Sequence, residues 1–374
     1  TKRNTIEELG FSFHTDWAIN EKTTFSNGYQ YFNNRVSYTL EDDDYIENGL
    51  ANNPTHAIYN QLNYRPGNWF IDLGLRTNYY AQLSSVYFEP RVYLENKIDE
   101  NFRIKASAEI KNQSVSQIIE FTTQDFGLEN QVWALADDDE IPLLQSNQFS
   151  GGFLWNKSEW NLDIEVYHKN IKGLTSLTRG FESSDNNFAE GKSITSGVDF
   201  LLKKKVGAYS TWIGYTYSRT NFDFEVLNDG KTFRGNNDIA HSLTWSHFYK
   251  WKKLQFSLGW KYRTGIPYTA TLGTVGSGED IEISYADINA ETLPDYHRLD
   301  FSFLYDFKLS EKENPITAKL GFSLLNVYGR QNLLSKNYGL FNVIDDQENI
   351  AIELQEITKY SLGTTPNIVF RLRF

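Results

Sequence analysis

The C-terminal residues 364–374 read TTPNIVFRLRF, and apolar and charged side chains alternate along them. Successive side chains of a β-strand point to opposite faces, so one face of this segment is apolar and the other is mostly charged. The apolar face carries Ile368, Phe370, Leu372 and Phe374. Such a strand fits the wall of a transmembrane β-barrel, with lipid on one side and water on the other. Soluble sandwiches also contain single strands of this kind, so the prediction depends on whether the pattern recurs.

The alternation recurs along the chain, most clearly at 69–76, 102–111, 160–167, 254–263 and 298–308. Each run reaches or nearly reaches the roughly 9–11 residues that a tilted strand needs to cross a bilayer, whereas strands of soluble proteins average about 5–6. Alternation and turn signals together predict fifteen strands. Their approximate ranges are 8–20, 24–40, 55–65, 68–80, 85–97, 101–120, 147–156, 159–173, 191–205, 208–224, 238–250, 253–270, 294–309, 315–332 and 358–374.

Short and long connections alternate between these strands. Long connections are predicted over 41–54, 121–146, 176–190, 225–237, 270–293 and 333–358, with one short exception near 81–84. Short turns at one rim and long loops at the other are typical of outer-membrane barrels, whose turns face the periplasm and whose loops face the outside. The predicted fold class is therefore all-β, a transmembrane antiparallel up-and-down β-barrel in the outer membrane of a Gram-negative cell.

The odd strand count conflicts with the even number found in bacterial single-chain barrels. Either one strand escapes the pattern, or the N-terminal part of the barrel lies outside this chain. We favour the second explanation, because an open sheet edge in lipid would leave unpaired N–H and C=O groups that cost several kcal/mol each. Residues 1–374 are then expected to form the C-terminal part of a larger barrel, without its plug and first strands.

Composition narrows the function classes. The chain of 374 residues has 16% aromatic residues, no cysteine and a net charge of −12. A strongly acidic balance argues against a nucleic-acid partner. The lack of cysteine fits export through an oxidising compartment. The high aromatic content fits the lipid-facing surface and the interfacial girdles of a barrel.

Five segments resemble, in this order, the C-terminal barrel of TonB-dependent outer-membrane receptors, especially the type found in Bacteroidota. They are 196–205 (SGVDFLLKKK), 259–269 (GWKYRTGIPYT), 295–302 (DYHRLDFS), 324–332 (LLNVYGRQN) and 365–374 (TPNIVFRLRF). The resemblance implies a barrel of about 22 strands, plugged by an N-terminal domain and energised by TonB, that imports a scarce nutrient. About fifteen of those strands would lie in this chain.

The resemblance also implies partners and one recognition signal. The expected partners are outer-membrane lipid and lipopolysaccharide, TonB through the absent plug, an unidentified ligand and, in part of the family, a surface lipoprotein. In such proteins the terminal aromatic strand is recognised by the barrel-assembly machinery, which assigns that signal here to Phe370, Leu372 and Phe374.

Charged residues on the polar faces of the predicted strands are candidates for the lumen wall. They are Lys105, Glu109, Asp163, Glu165, Lys261, Arg263, Arg298, Asp300 and Asp306. Salt-bridged ladders, or contacts to the plug, explain such residues better than ligand binding at any single position. Acidic runs at Asp42, Asp43 and Asp44 and at Asp137, Asp138 and Asp139 are predicted to lie in extracellular loops. They could form an electronegative vestibule or simply a solvated acidic surface.

The sequence does not favour an enzymatic function. The six histidines show no metal-binding spacing such as HExxH, and no nucleophile–histidine–acid arrangement is evident. We therefore predict no catalytic residue, metal or cofactor. Alternatives to the importer remain open: a passive porin-like channel of about 16 strands, a structural barrel subunit of a larger outer-membrane complex, and a soluble β-module that binds carbohydrate.

Overall fold

A computed structural model describes residues 2–42, 45–119, 121, 132–137, 139–177, 188–276, 278, 281–310, 316–344 and 350–373. Most of these residues are in β-strands, and a 3-10 turn covers Asn228–Gly230. Across the described ranges, no helix is long and apolar enough to cross a membrane.

Twenty-four strands are described in chain order. The first twelve are β1 (Lys2–Asn20), β2 (Thr23–Asp42), β3 (Tyr45–Tyr64), β4 (Trp69–Tyr80), β5 (Ser85–Lys97), β6 (Phe102–Gln113), β7 (Val115–Gln117), β8 (Trp133–Leu135), β9 (Leu144–Lys157), β10 (Trp160–Leu177), β11 (Phe188–Val206) and β12 (Tyr209–Phe224). The others are β13 (Phe233–Arg234), β14 (His241–Trp251), β15 (Leu254–Arg263), β16 (Pro267–Tyr268), β17 (Thr271–Val275), β18 (Glu282–Tyr285), β19 (Glu291–Thr292), β20 (Tyr296–Lys308), β21 (Thr317–Leu325), β22 (Leu333–Ile344), β23 (Ile350–Tyr360) and β24 (Thr365–Arg373).

Fifteen long strands form one antiparallel meander in the order β1-β2-β3-β4-β5-β6-β9-β10-β11-β12-β14-β15-β20-β21-β24. The sixteenth strand of this sheet, β13, pairs with β12 near the loop end of that strand. The remaining strands form small two-stranded sheets in the long connections: β7 with β8, β16 with β19, β17 with β18 and β22 with β23. The meander confirms the predicted all-β up-and-down architecture and the count of about fifteen strands.

One face of the sheet is apolar because the strand register keeps like residues side by side. Phe256 of β15 pairs with Tyr249 of β14 and with Phe303 of β20, and Phe303 pairs with Phe322 of β21. Tyr249 on this face is 46% exposed. Near the end of the meander Ile368 remains 70% exposed. A continuous apolar surface of this extent is expected to contact hydrocarbon.

The predicted loop over 41–54 is wrong. β2 continues to Asp42 and pairs there with Tyr45 of β3, so most of this segment extends a hairpin. Beyond the bilayer both faces of a hairpin meet water, and the apolar alternation that marks a membrane strand is not needed. A prediction based only on the polarity of residues 41–54 therefore assigns this strand extension to a loop.

Several predicted strands combine membrane and loop segments. The predicted strand 358–374 joins the end of β23 to β24, yet β23 pairs with β22 while β24 pairs with β21. Likewise, the strands predicted to end at 120, 270 and 332 end earlier, at Gln113, Arg263 and Leu325. The strands predicted to end at 120 and 270 run on into short loop strands, β7 and β16, and the strand predicted to end at 332 includes residues 326–332, which are in no strand.

Candidate functional site

The charged residues predicted to face the lumen lie on the opposite face of the sheet from the apolar side chains. Strand register shows this for one row: Lys105 of β6 pairs with Gly152 of β9, Gly152 with Glu165 of β10, and Glu165 with Asp199 of β11. We call the polar side of the sheet the charged wall.

Lys105 contacts two carboxylates of this wall. Its Nζ lies 2.7 Å from Oε2 of Glu165 and 3.0 Å from Oδ1 of Asp163. The contact spans β9, because Gly152 puts no side chain between Lys105 and β10. One ammonium group therefore serves two carboxylates, and Asp199 beside Glu165 adds a third negative charge to the same area.

Two further predicted groups hold the strands at the other end of the meander. The guanidinium of Arg298 donates to Oδ2 of Asp300 at 2.7 Å, and Oδ1 of Asp300 accepts the backbone N–H of Asn326 at 2.9 Å. Asp306 pairs with Lys319 of β21 at 3.0 Å and accepts a hydrogen bond from Gln255 at 2.8 Å. The Arg298–Asp300 pair lies within β20, and the other contacts connect neighbouring strands.

The other three predicted wall residues are less constrained. Glu109 pairs with Lys111 of its own strand at 2.9 Å. The guanidinium of Arg263 lies over the ring of Tyr296, 5.2 Å from its centroid. Lys261 is exposed and has no side-chain partner within the described part of the chain. Lys261 and Arg263 thus form a cationic area, whereas the carboxylates around Lys105 form an acidic one.

The two predicted acidic loops behave differently from each other. Asp42 lies on β2, while Asp43 and Asp44 are outside the described residues. The carboxylate of Asp137 accepts three backbone N–H groups, from Asp139, Glu140 and Ile141, at 2.8–3.0 Å. Asp137 therefore shapes its turn, Asp139 is exposed, and Asp138 is outside the described residues.

At the C-terminal strand, Phe370 and Leu372 pair with Leu320 and Ala318 of β21. Both side chains are exposed, and Phe374 lies outside the described residues. Their role in barrel assembly stays a prediction. Elsewhere, the described residues include no group of three or more His, Cys, Asp or Glu side chains placed to hold a metal ion.

Sequence reasoning missed an aromatic cluster that joins the loops. Phe121, Phe222, Phe224 and Phe233 come from the β6–β9 loop, β12 and β13, with Phe121 and Phe233 ring centroids 4.9 Å apart. Phe224 is fully buried. The sequence did contain a signal for this cluster. Phe222 and Phe224 lie on the polar face of β12, beyond the segment that crosses the membrane. Here residues of the loops bury these aromatic side chains.

Sequence reasoning also missed a buried carboxylate that holds these loops. Asp238 is almost completely buried and binds Arg234 at 2.8 Å and Arg219 at 3.1 Å. Arg234 also donates to Thr292 of β19 at 2.7 Å, and its backbone carbonyl accepts a hydrogen bond from Asn289 at 2.8 Å. The Asp238 cluster therefore connects the β12–β14 and β15–β20 loops.

The β6–β9 loop contacts two separate strands of the meander, β1 and β10. Asn4 of β1 exchanges two hydrogen bonds with the backbone of Trp133 in β8, at 3.0 and 3.2 Å. The N–H of Ile119 bonds to the carbonyl of Thr175 in β10 at 2.9 Å. The loops are thus connected to one another and to the strands by hydrogen bonds, and we call them together the loop assembly.

The hairpin β22–β23 adds a cation to this assembly. Nζ of Lys336 lies 2.8 Å from Glu356, and it sits 5.5 Å from the ring centroid of Tyr268 in β16. The hydrogen bond to Glu356 raises the pKa of Lys336, so this group stays charged at any physiological pH. The contact attaches the hairpin to the neighbouring loop.

A meander with one apolar face, one charged face and interlocked loops at one rim matches a known family. Residues 2–328 fit the sequence model described as TonB dependent receptor-like, beta-barrel. The chain belongs to this family. Its members are receptor barrels of the Gram-negative outer membrane, so the apolar face of this TonB-dependent receptor barrel is its lipid-facing surface, and the charged wall lies on the opposite face of the sheet.

Solved structures agree with this fold. The ferric yersiniabactin uptake receptor FyuA from Yersinia pestis aligns with 100% of this chain and 55% of its own length, with 12% identity and a TM-score of 0.65. The FrpB iron transporter from Neisseria meningitidis (F3-3 variant) aligns with 98% and 55%, with 13% identity and a TM-score of 0.63. The siderophore receptor PirA from Acinetobacter baumannii aligns with 88% and 51%, with 12% identity and a TM-score of 0.58.

The chain therefore spans about half the length of these solved structures. No curated protein matches its sequence. The family and these neighbours are receptors and transporters rather than enzymes, which is consistent with the prediction that the barrel does no covalent chemistry.

Proposed function

We propose that this barrel is part of a TonB-dependent importer that carries a scarce nutrient across the outer membrane. The observation that carries the proposal is the membership of residues 2–328 in the receptor-barrel family, joined to a lumen face rich in charge. A wall of this kind suits contact with a polar plug better than passage of an apolar solute.

In this proposal residues 1–374 are the C-terminal part of the barrel, and further strands with a plug domain complete it. The share of the solved neighbours that the chain covers, 55% for both FyuA and FrpB, supports this division. TonB would act on the plug, and the loop assembly would receive the ligand. The five ordered sequence segments named above support a receptor of the Bacteroidota type, in which a surface lipoprotein can join the barrel.

The first ligand class to test is a ferric siderophore, because PirA is described as a siderophore receptor and FyuA as a ferric yersiniabactin uptake receptor. The test uses the full-length protein in a strain that lacks its own siderophore receptors. Uptake of radiolabelled ferric siderophores, supplied as a mixed panel, is measured with and without TonB. Uptake that disappears without TonB supports active import. Uptake that persists without TonB indicates a passive channel.

A second measurement separates an importer from a porin whatever the ligand. The full-length protein is inserted into planar bilayers in potassium chloride solution. A plugged receptor is expected to be nearly closed to ions, and removal of the plug should open a large stable conductance. Open conductance of the intact protein would contradict the proposal. If the barrel is closed to ions but imports no siderophore of the panel, the result is consistent with a TonB-dependent importer and excludes only the ferric siderophores tested as its ligand.

A further inference from the structure

The lipid-facing surface is interrupted by an open groove of about 530 Å³ across β9, β10, β11 and β12. Its lining includes Phe149, Gly151, Val166, Ser196, Val198 and Arg219. We call it the outer-face groove. Register places Phe149 beside His168, His168 beside Ser196, and Ser196 beside Arg219, so these four residues form one row on the lipid-facing side.

The lower part of the groove is apolar and has room for a hydrocarbon chain. Phe149 and Val166 are both more than half exposed. Gly151 leaves open space between them, since a Cβ at this position would meet nothing closer than the Lys105 carbonyl oxygen at 3.9 Å. An apolar channel with open space at Gly151 can take an acyl chain.

The upper part of the groove is cationic. The side chain of Arg219 is 45% exposed, although one of its nitrogens binds Asp238. Arg234 binds the same Asp238 oxygen at 2.8 Å. Two guanidinium groups thus share one carboxylate, and one positive charge remains to face the groove. Beside Arg219, the imidazole Nδ1 of His168 lies 2.8 Å from the Ser196 hydroxyl, and these two side chains add further polar groups.

The height of Arg219 in the membrane follows from its position on β12. It lies ten residues beyond Tyr209, the first residue of the strand after the turn. Ten residues extend about 33 Å along a strand, and a tilt of about 40° reduces this to about 25 Å along the membrane normal. The apolar band of an outer-membrane barrel is about 25 Å tall. Arg219 therefore lies at the loop-side boundary, where the phosphate groups of outer-leaflet lipids are found.

We infer that the outer-face groove binds a phosphorylated, acylated lipid of the outer leaflet, the lipid A part of lipopolysaccharide. Its phosphate would contact Arg219 and its neighbours, and one acyl chain would lie along Gly151. Charge complementarity favours this occupant. Residues 1–374 carry a net charge of −12, which repels anionic lipid, so a local cationic site selects where such a lipid is held. The inference rests on the proposed outer-membrane receptor and names the site of one of its lipid partners.

The test uses the full-length protein in nanodiscs of zwitterionic lipid, with binding measured by native mass spectrometry. Three probes are added separately: lipid A, dephosphorylated lipid A and inorganic phosphate. Arg219→Gln should weaken lipid A binding about tenfold, because one charge-assisted hydrogen bond is lost. It should leave binding of dephosphorylated lipid A unchanged. Gly151→Leu should fill the groove and weaken the binding of both lipids.

A matched control is His56→Ala. His56 also lies on the lipid-facing side and its imidazole also bonds to a hydroxyl, that of Tyr29 at 2.7 Å, but it is not part of the groove. This variant should bind lipid A as the parent does. Equal binding of lipid A by the parent, Arg219→Gln and Gly151→Leu would overturn the inference, as would binding of inorganic phosphate as tight as that of lipid A. These measurements contain no TonB and no transported nutrient, so their outcome is independent of the uptake test.

Arg219→Gln keeps Asp238 paired with Arg234, which limits the damage to the fold. Folding of each variant is checked by the shift in electrophoretic mobility that barrels show on heating. If Arg219→Gln is unstable, Gly151→Leu still decides, because it does not touch the Asp238 cluster. Loss of binding in a variant that retains the parent's heat-induced shift would support the site.

Discussion

Lys105 of β6 binds Glu165 of β10 across an intervening strand, with 2.7 Å between Nζ and Oε2. The residue between them is Gly152 of β9, which has no side chain to obstruct the contact. The same arrangement recurs on the charged wall, where Arg91 of β5 passes over Gly74 of β4 to bind Gln61 of β3. Glycines on the lumen side thus allow long cations to connect second-neighbour strands, which stiffens the wall beyond its backbone ladder.

Two adjacent glycines allow a direct test of this device. A Cβ at Gly152 would lie 2.1 Å from the backbone oxygen of Ile164, whereas a Cβ at Gly151 would meet nothing within 3.8 Å. Gly152→Ala is therefore expected to cost about 1–3 kcal/mol through displacement of β10. Gly151→Ala should leave stability nearly unchanged. The measurement is the free energy of unfolding in detergent micelles by urea titration. Equal effects of the two substitutions would show that β9 and β10 are not packed as closely as described.

Removal of the Lys105 charge should destabilise the wall, because Asp163 and Glu165 would then repel each other and Asp199 without a counter-charge. The side chains of Lys105 and Glu165 are less than one-third exposed, so we expect a coupling of about 1 kcal/mol between them. A double-mutant cycle of Lys105→Met and Glu165→Gln, read by urea unfolding, measures that coupling. Lys111→Met is the control: the side chain of Lys111 is 61% exposed, so its pair with Glu109 should contribute less than about 0.5 kcal/mol.

How far the sequence could predict this structure depends on where each residue lies. Alternation identified the strands that cross the membrane, because lipid imposes a period of two on every one of them. It could not identify the contact of Arg219 and Arg234 with Asp238, since the three residues come together only when the loop folds back onto β12. Nor could it find the packing of Phe121 against Phe233, which joins segments more than a hundred residues apart. Loop structure depends on such pairings, and no local pattern specifies them.

Asp238 is expected to be the most sensitive charged position in the loops. Asp238→Ala would leave Arg234 and Arg219 without their shared carboxylate and free the backbone N–H of Thr220, which now donates to Asp238 at 2.8 Å. Loss of one partner of a buried ion pair typically costs about 3–5 kcal/mol. Because the loss is confined to the loops, faster cleavage of the β12–β14 loop in limited proteolysis is the expected result. Asp229→Asn is the control, since this carboxylate is 85% exposed, its nearest cation is 3.5 Å away, and asparagine tolerates the left-handed backbone (φ 56°) at this position. Its cleavage rate should equal that of the parent.

The assignment of the two faces is tested most directly on β15, where neighbouring residues point to opposite sides. Leu258 lies on the lipid-facing side between His247 and Phe301, and Ser257 lies on the charged wall between Phe248 and Ser302. An arginine on the lipid face near the bilayer centre costs about 2–4 kcal/mol, whereas substitutions on the lumen side are tolerated. Leu258→Arg should therefore lower the free energy of unfolding in liposomes by that amount, and Ser257→Arg should change it by less than about 1 kcal/mol. If Ser257→Arg is the more damaging substitution, the apolar residues face inward and the barrel orientation is wrong.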